Sequence, residues 1–305
     1  MQQPLPLKKG DAITILSTAR KISRPELQYF VDCAESWGLS VNFAKNLFEE
    51  NHQFAGTIEQ RTDDLQNALD DENCKAIFCA RGGYGTVQLI DKIDFSGFKQ
   101  YPKWIVGYSD VTVLHNHINQ NFGIETLHAI MPFEFTETAN KEAIHFLQKA
   151  LFNAEYSIDF IPEEHSLLAK TEITAPIVGG NLSILYSLSG SNSQLNTAGK
   201  WLFMEDLDEY LYHIDRMMMN LKRSGLFKGC VGILVGGMSD MNDNKTPYGQ
   251  TAKEIILQQT KDLRIPIIFG VPAGHIDRNL AITFNRKTSL LISDLKAKLS
   301  FHGRT

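Results

Sequence analysis

Apolar residues in the first half of the chain fall into short runs that alternate with longer stretches of helical periodicity. The run 12–16, Ala-Ile-Thr-Ile-Leu, reads as a strand. After it, Ser23 stands at a capping position, Pro25 in the first turn and Gly38 beyond the end, which predicts a helix between them. Thr57 and Gln60 have the spacing of a capping box, and Ile58, Leu65 and Leu69 follow at helical intervals. Residues 76–80 form an unbroken apolar run, predicting a strand buried on both faces that stops at Arg81-Gly82-Gly83-Tyr84-Gly85. A further buried strand, 104–106, ends at Gly107-Tyr108-Ser109-Asp110, and 111–121 continues with helical spacing up to Gly123. Strands alternating with amphipathic helices predict βαβ units and a mainly parallel sheet.

Beyond a helix around 141–150, the segment 153–174 is irregular and acidic, with Glu163, Glu164 and Glu172 among few periodic apolar positions. An interdomain connection is expected there. The second half offers strands at 201–204, 231–235, 266–269 and 289–292, and helices near 182–188, 209–223 and 250–261. The 305 residues suit two domains at about 100–200 residues each, so the expected division is 1–152, a linker 153–174, and 175–305.

Composition narrows the function classes. With 43% hydrophobic and 21% charged residues the chain falls in the ordinary globular range. The formal net charge is -5 with Lys and Arg scattered, which leaves no electrostatic footprint for nucleic acid. Cys33, Cys74, Cys79 and Cys230 lack paired metal-ligand spacing and read as reduced thiols. Residues 1–10 have no apolar core of the secretory kind, and no run approaches the ~18 residues that would span a bilayer. A cytoplasmic protein without a membrane partner is the expectation.

Ligands of open α/β sheets bind beyond the carboxyl ends of the strands, which directs attention to Ser17-Thr18, 81–85, 108–110 and Glu205-Asp206. Ser109 lies between a buried strand and a helix, as a nucleophile elbow does, although Val111 stands where the last glycine of G-x-S-x-G belongs. A helix-capping role for Ser109 or Asp110 stays open beside the nucleophilic one. A serine needs a base, usually a histidine oriented by a carboxylate. Of nine histidines, His115, His117 and His145 lie on helices and His52, His165 and His302 in polar surroundings. His275, in Pro272-Ala273-Gly274-His275, follows a strand and can either reach a cleft or remain solvated. Glu205 ends an apolar run and must be paired if buried, as a catalytic carboxylate or as a structural ion-pair partner.

Gly82, Gly83 and Gly85 lack the G-K-[ST] or G-x-G-x-x-G context of a phosphate cradle, but their amides can supply an oxyanion hole. His115 and His117 lack the i, i+4 spacing of a zinc pair, and Met217-Met218-Met219 reads as core filling.

Taken in order, Arg81-Gly82-Gly83-Tyr84-Gly85, Gly107-Tyr108-Ser109-Asp110, Gly179-Gly180-Asn181-Leu182-Ser183, Glu205-Asp206 and Gly274-His275 resemble the LD-carboxypeptidase family, which also contains proteins giving immunity to microcin C. The resemblance runs from about residue 10 to about residue 300. It implies an α/β protein: an N-terminal flavodoxin- or Rossmann-like parallel-sheet domain bearing the nucleophile, and a smaller, β-rich α/β domain bearing glutamate and histidine. Carried over by position, it implies a triad of Ser109, Glu205 and His275; the amides of Asp110 and Gly83 are then the expected oxyanion donors, and Arg81 and Tyr84 the candidate substrate contacts. The stretch 208–225, including Asp215-Arg216, is similar to the family's helix after the acid pair.

It further implies a cytoplasmic homodimer in peptidoglycan recycling, needing no metal or organic cofactor, that releases the terminal D-alanine of murein tetrapeptides after an L-centred residue. The chain departs from the family pattern at Ser17-Thr18, where Pro-Ser is usual, and at Ile276-Asp277-Arg278-Asn279. Two other readings are a microcin C-type substrate, for which Tyr210 and Tyr212 are candidate stacking groups, and a non-catalytic two-domain protein closing on a small ligand.

Overall fold

The computed structural model describes residues 3–163, 172–293 and 296–303. Strands β1 (Ala12–Leu16), β2 (Ser40–Phe43), β3 (Cys74–Cys79), β4 (Trp104–Gly107) and β5 (Thr126–His128) pair in parallel in the order β2-β1-β3-β4-β5. That is the flavodoxin-like doubly wound order. Five helices accompany them: α1 (Gln28–Ser36), α2 (Ile58–Asp70), α3 (Ser96–Gln100), α4 (Thr112–Phe122) and α5 (Lys141–Phe152).

Strand side chains alternate between faces, so both faces of an unbroken apolar strand need cover. Ile13, Ile15, Ala76, Phe78 and Val106 pack with Phe30 and Ala34 of α1 and Leu147 and Leu151 of α5. Leu16, Ile77, Cys79 and Ile105 pack with Leu65 and Leu69 of α2, Phe98 of α3 and Leu114 and Ile118 of α4. Thr57 and Gln60 form the expected capping box at the start of α2, and Gly123 ends α4 in the left-handed conformation.

The remaining elements are β6 (Tyr156–Phe160), β7 (Glu172–Asn181), α6 (Leu182–Ser187), β8 (Trp201–Leu207), α7 (Leu211–Arg223), β9 (Gly232–Ser239), α8 (Ala252–Thr260), β10 (Ile267–Phe269), β11 (Ile282–Phe284), β12 (Lys287–Ser293) and β13 (Lys296–Phe301). The second sheet has the order β10-β9-β8-β7-β12-β13-β6, parallel from β7 to β10 and antiparallel from β7 through β12 and β13 to β6. Met217 and Met218 are buried among Leu202, Met204, Ile233 and the apolar face of α8, so they fill the core.

Besides β2, β5, β7 and β13, which no expected strand covered, two segments differ from the sequence expectation. The stretch 153–174, read as irregular, contains β6, because Tyr156, Ile158 and Phe160 alternate with Ser157 and Asp159 and pair with β13. Glu164 of that stretch, like His165, lies outside the described residues. Strand β11, late in the chain, crosses back and pairs antiparallel with β5 of the first sheet, Ile282 opposite His128. Among the described residues no helix is long and apolar enough to cross a membrane.

Candidate active site

Strand β4 is wholly buried, and the chain must leave the sheet at its end to start α4. Tyr108 remains extended, Ser109 takes φ 61°, and a single 3-10 turn, Ser109–Val111, leads into the helix. A non-glycine residue held in the left-handed region costs about 1–3 kcal/mol. This is the strained strand-to-helix elbow that the residue order predicted. Ser109 makes no cap hydrogen bond at either helical start, which sets aside the capping role. Asp110 caps nothing either: its buried Oδ2 accepts from the amide and hydroxyl of Thr86 at 2.9 and 2.7 Å. Burial raises its pKa above the usual carboxylate value despite those bonds.

The glycine-rich turn after β3 lies against the serine, since a Cβ built on Gly82 would stand 3.0 Å from both Cβ and Oγ of Ser109. Arg61, absent from the sequence reading, fixes this turn from below. Its buried guanidinium donates to Thr18 O at 2.7 Å, Gly85 O at 3.2 Å and Gln88 Oε1 at 2.8 Å. It thereby joins the loop after β1 to the loop after β3.

Glu205 sits in β8 with its side chain fully buried, and its Oε2 accepts from His275 Nδ1 at 2.6 Å and from His275 N at 3.1 Å. A buried carboxylate so bonded holds the ring by one nitrogen, which leaves Nε2 for a second partner. The loop after β10 allows this approach because residue 274 is glycine. Gly274 has φ 103°, and a Cβ there would lie 2.7 Å from three atoms of Glu205. Asn279 Oδ1 accepts from Gly274 N at 2.9 Å and Ser239 Oγ donates to His275 O at 2.6 Å, so the loop is held from both sides.

Burial pulls the His275 pKa down, but the hydrogen bond and charge of Glu205, with the charges of Asp206 and Glu134, outweigh it and leave the pKa raised. Glu134 is a member of the site that the sequence reading missed. It accepts from Tyr108 Oη at 2.8 Å and from Met131 N at 2.7 Å, and burial pushes its pKa up to about 7. The only sequence signal was Glu134 three residues after Met131 with Pro132 between, the spacing of a helix start.

The motif Gly179-Gly180-Asn181 clamps the two halves of the site together. Asn181 N donates to Thr112 Oγ1 of α4 at 3.0 Å, Asn181 Nδ2 donates to Asp206 Oδ1 at 2.9 Å, and Asn181 lies opposite Glu205 in the sheet register. Asp206 also accepts from Ser183 N at 2.9 Å, and burial followed by the Glu205 charge raises its pKa to about 7.

Glu205 and His275 are therefore joined directly. The elbow meets them through Tyr108, whose ring centroid is 4.8 Å from that of His275. Among the described residues no hydrogen bond links Ser109 to His275. Arg81 is already engaged, with Nη1 3.3 Å from Lys21 O and 3.7 Å from Glu26, and its guanidinium 5.1 Å over the Phe133 ring. Tyr84 is half-exposed and packs at 6.2 Å on Phe54. His115 is buried, bonded to Gly107 O at 2.8 Å and pushed down to about pKa 4 by burial, which makes it a neutral core histidine. Among the described residues no cluster of three or more His, Cys, Asp or Glu side chains is arranged to hold a metal.

Comparison with known proteins gives the same frame. Residues 13–129 match the LD-carboxypeptidase N-terminal domain and residues 174–290 the LD-carboxypeptidase C-terminal domain. A Bacillus subtilis protein named "Probable murein peptide carboxypeptidase" is 31% identical over 94% of this chain and 91% of its own length. The crystal structure of muramoyltetrapeptide carboxypeptidase from Oxalobacter formigenes has the same fold, with TM-score 0.87 at 22% identity over 95% of this chain and 98% of that one. An MccF-like protein from Bacillus anthracis superposes with TM-score 0.86 at 25% identity over 100% of both chains.

Proposed function

Because the chain belongs to the LD-carboxypeptidase family, we propose that it is a serine carboxypeptidase removing the terminal D-alanine of murein tetrapeptides at an L,D amide bond. The observation that carries the reading is the pair of buried Glu205 and His275 at 2.6 Å, packed on the ring of Tyr108, the residue that precedes a serine held at φ 61° on a strained elbow. A non-catalytic ligand-binding protein has no use for that strain.

In this reading His275 Nε2 takes the proton of Ser109 Oγ as the oxygen attacks the amide carbonyl. Glu205 holds the ring and balances the imidazolium, in keeping with the raised pKa of His275. The amides of Asp110 and Gly83 receive the oxyanion. The imidazolium then protonates the leaving nitrogen, the C–N bond breaks, and D-alanine departs from an acyl-Ser109 ester. Water, deprotonated by the same nitrogen, attacks the ester and frees the shortened peptide and the serine. The reading includes peptidoglycan recycling in the cytoplasm and a homodimer, all three supported by the family resemblance.

A microcin-type aminoacyl nucleotide is the second substrate class, favoured by the exposed pair Tyr210 and Tyr212, 5.6 Å apart, with Arg216 5.2 Å over the Tyr212 ring. One assay series separates the readings: a tetrapeptide ending in D-alanine, its L-alanine epimer, a D,D-pentapeptide and an aminoacyl sulfamoyl adenosine. Inverting the terminal centre moves the carboxylate away from its partner, a loss of about 1.5–3 kcal/mol or about 10–150-fold in rate. Equal cleavage of the epimers would refute the L,D specificity. Faster turnover of the adenosine would favour the second substrate class.

A further inference from the structure

The loop after β1 carries a cation that the steps above leave unused. Ser17 Oγ donates to Arg20 O at 2.6 Å, and Arg20 forms an isolated antiparallel bridge with Phe54, so the backbone at Arg20 is fixed. Its side chain runs along the glycine-rich turn: a Cβ built on Gly83 would stand 2.6 Å from Arg20 Cγ and 2.7 Å from Cδ and Nε. One residue earlier, the same construction on Gly82 meets Ser109 Oγ at 3.0 Å. Two consecutive glycines thus carry the chain between Arg20 and the nucleophile, and any side chain at Gly83 would displace the arginine.

The other basic groups of this region are engaged. Arg61 is buried on three carbonyl oxygens, Arg81 is held by Lys21 O and Glu26, and Lys21 pairs with Glu50 at 2.5 Å. Arg24 lies 4.6 Å over Phe43 and 4.7 Å over Phe48. Arg20 is exposed, and among the described residues no carboxylate or carbonyl accepts from its guanidinium.

A carboxypeptidase substrate brings its own anion to this place, because the α-carboxylate of the leaving residue is attached two bonds from the scissile nitrogen. The acids around His275, namely Glu205, Asp206 and Glu134, repel it. A guanidinium, with its planar fork of donors, matches a carboxylate in two parallel hydrogen bonds. We propose that Arg20, rather than Arg81, binds the α-carboxylate of the residue to be released and so restricts the site to chain ends. This rests on the carboxypeptidase reading.

The test compares the murein tetrapeptide ending in D-alanine with the same peptide ending in D-alaninamide, for the unaltered protein, Arg20→Ala and Arg20→Lys. The unaltered protein should prefer the free acid by about 10–150-fold in kcat/KM, the factor expected of one charge-assisted contact. In Arg20→Ala the two substrates should converge, mainly through a higher KM for the acid, and Arg20→Lys should restore part of the preference. If Arg20→Ala keeps the full preference while the unaltered protein turns the acid over, the assignment of Arg20 is overturned and the carboxypeptidase reading stands. If the unaltered protein releases neither D-alanine from the acid nor D-alaninamide from the amide, both fall together.

Discussion

Replacing Gly274 by alanine drives a methyl group into the acid that orients the histidine. The backbone there has φ 103°, a conformation that costs a non-glycine residue about 1–3 kcal/mol. The new Cβ would stand 2.7 Å from Cβ, Cγ and Oε2 of Glu205, a side chain with no exposed surface and both His275 donors on one oxygen. Forcing extra volume into such a place costs about 1–3 kcal/mol more, so the whole penalty is about 2–6 kcal/mol if nothing moves. Part is relieved if the loop retreats, but His275 is the next residue and retreats with it. At about 2 °C per kcal/mol for a chain of this size, the melting temperature should fall by about 4–12 °C. A displacement near 1 Å should cost about 100-fold in kcat/KM. Gly190→Ala is the control: φ is 82° but nothing lies within 4 Å of the added Cβ, so it has the backbone penalty alone and should keep its activity. If both variants melt alike and turn over substrate alike, the close approach of Gly274 to Glu205 is not what fixes the histidine.

Because His275 must be neutral to act as base, kcat/KM should rise with pH, with a midpoint above the ordinary imidazole value of about 6.5 since the surrounding carboxylates raise its pKa. Glu205→Gln should lower both the midpoint and the rate, and an unmoved midpoint would show that a different group titrates. Glu134→Gln keeps a partner for Tyr108 but removes one charge from His275, so its midpoint should fall as well. The Glu134 carboxyl, raised to about 7, contributes stability that is complete below its unfolded pKa of about 4.3 and is lost as pH rises through about 7. Glu134→Gln should therefore flatten the fall of melting temperature across that window, and an identical fall in the variant would remove Glu134 as its source. Serine, histidine and glutamate chemistry moves protons without a Lewis acid, so turnover should be indifferent to chelators; restoration of lost activity by zinc would contradict that.

The residues legible in advance were those whose position is written in local order. Ser109 stands between a continuous apolar strand and a helical repeat, and His275 follows an apolar run, so the carboxyl ends of two strands could be read directly, whereas Glu205, read as ending the run 201–204, lies inside β8. What local order withheld was partnership. That Glu205 meets His275 depends on β8 and the loop after β10 lying side by side, and nothing in either segment specifies the other. Glu134 was hidden because it lies on a single 3-10 turn with no periodicity, and Arg61 because it looks like any polar residue on the face of an amphipathic helix. Strand β6 was overlooked although Tyr156, Ile158 and Phe160 alternate, since five residues with polar neighbours resemble an acidic loop. Strand β11 is three residues long and joins β5 across more than half the chain, a pairing no local pattern announces.

The central claim is that Ser109 is the nucleophile of a carboxypeptidase reaction, and its most direct measurement is release of D-alanine from murein tetrapeptide by the unaltered protein and by Ser109→Ala. Losing the nucleophile leaves only binding and oxyanion stabilisation, so Ser109→Ala should lose all but a small fraction of turnover. Ser109 is only half-buried and alanine keeps the same backbone strain at φ 61°, so the substitution should leave the thermal transition unchanged. D-alanine release by the unaltered protein and almost none by an equally folded Ser109→Ala is the predicted result. Near-normal release by a Ser109→Ala protein with a native melting transition would contradict it.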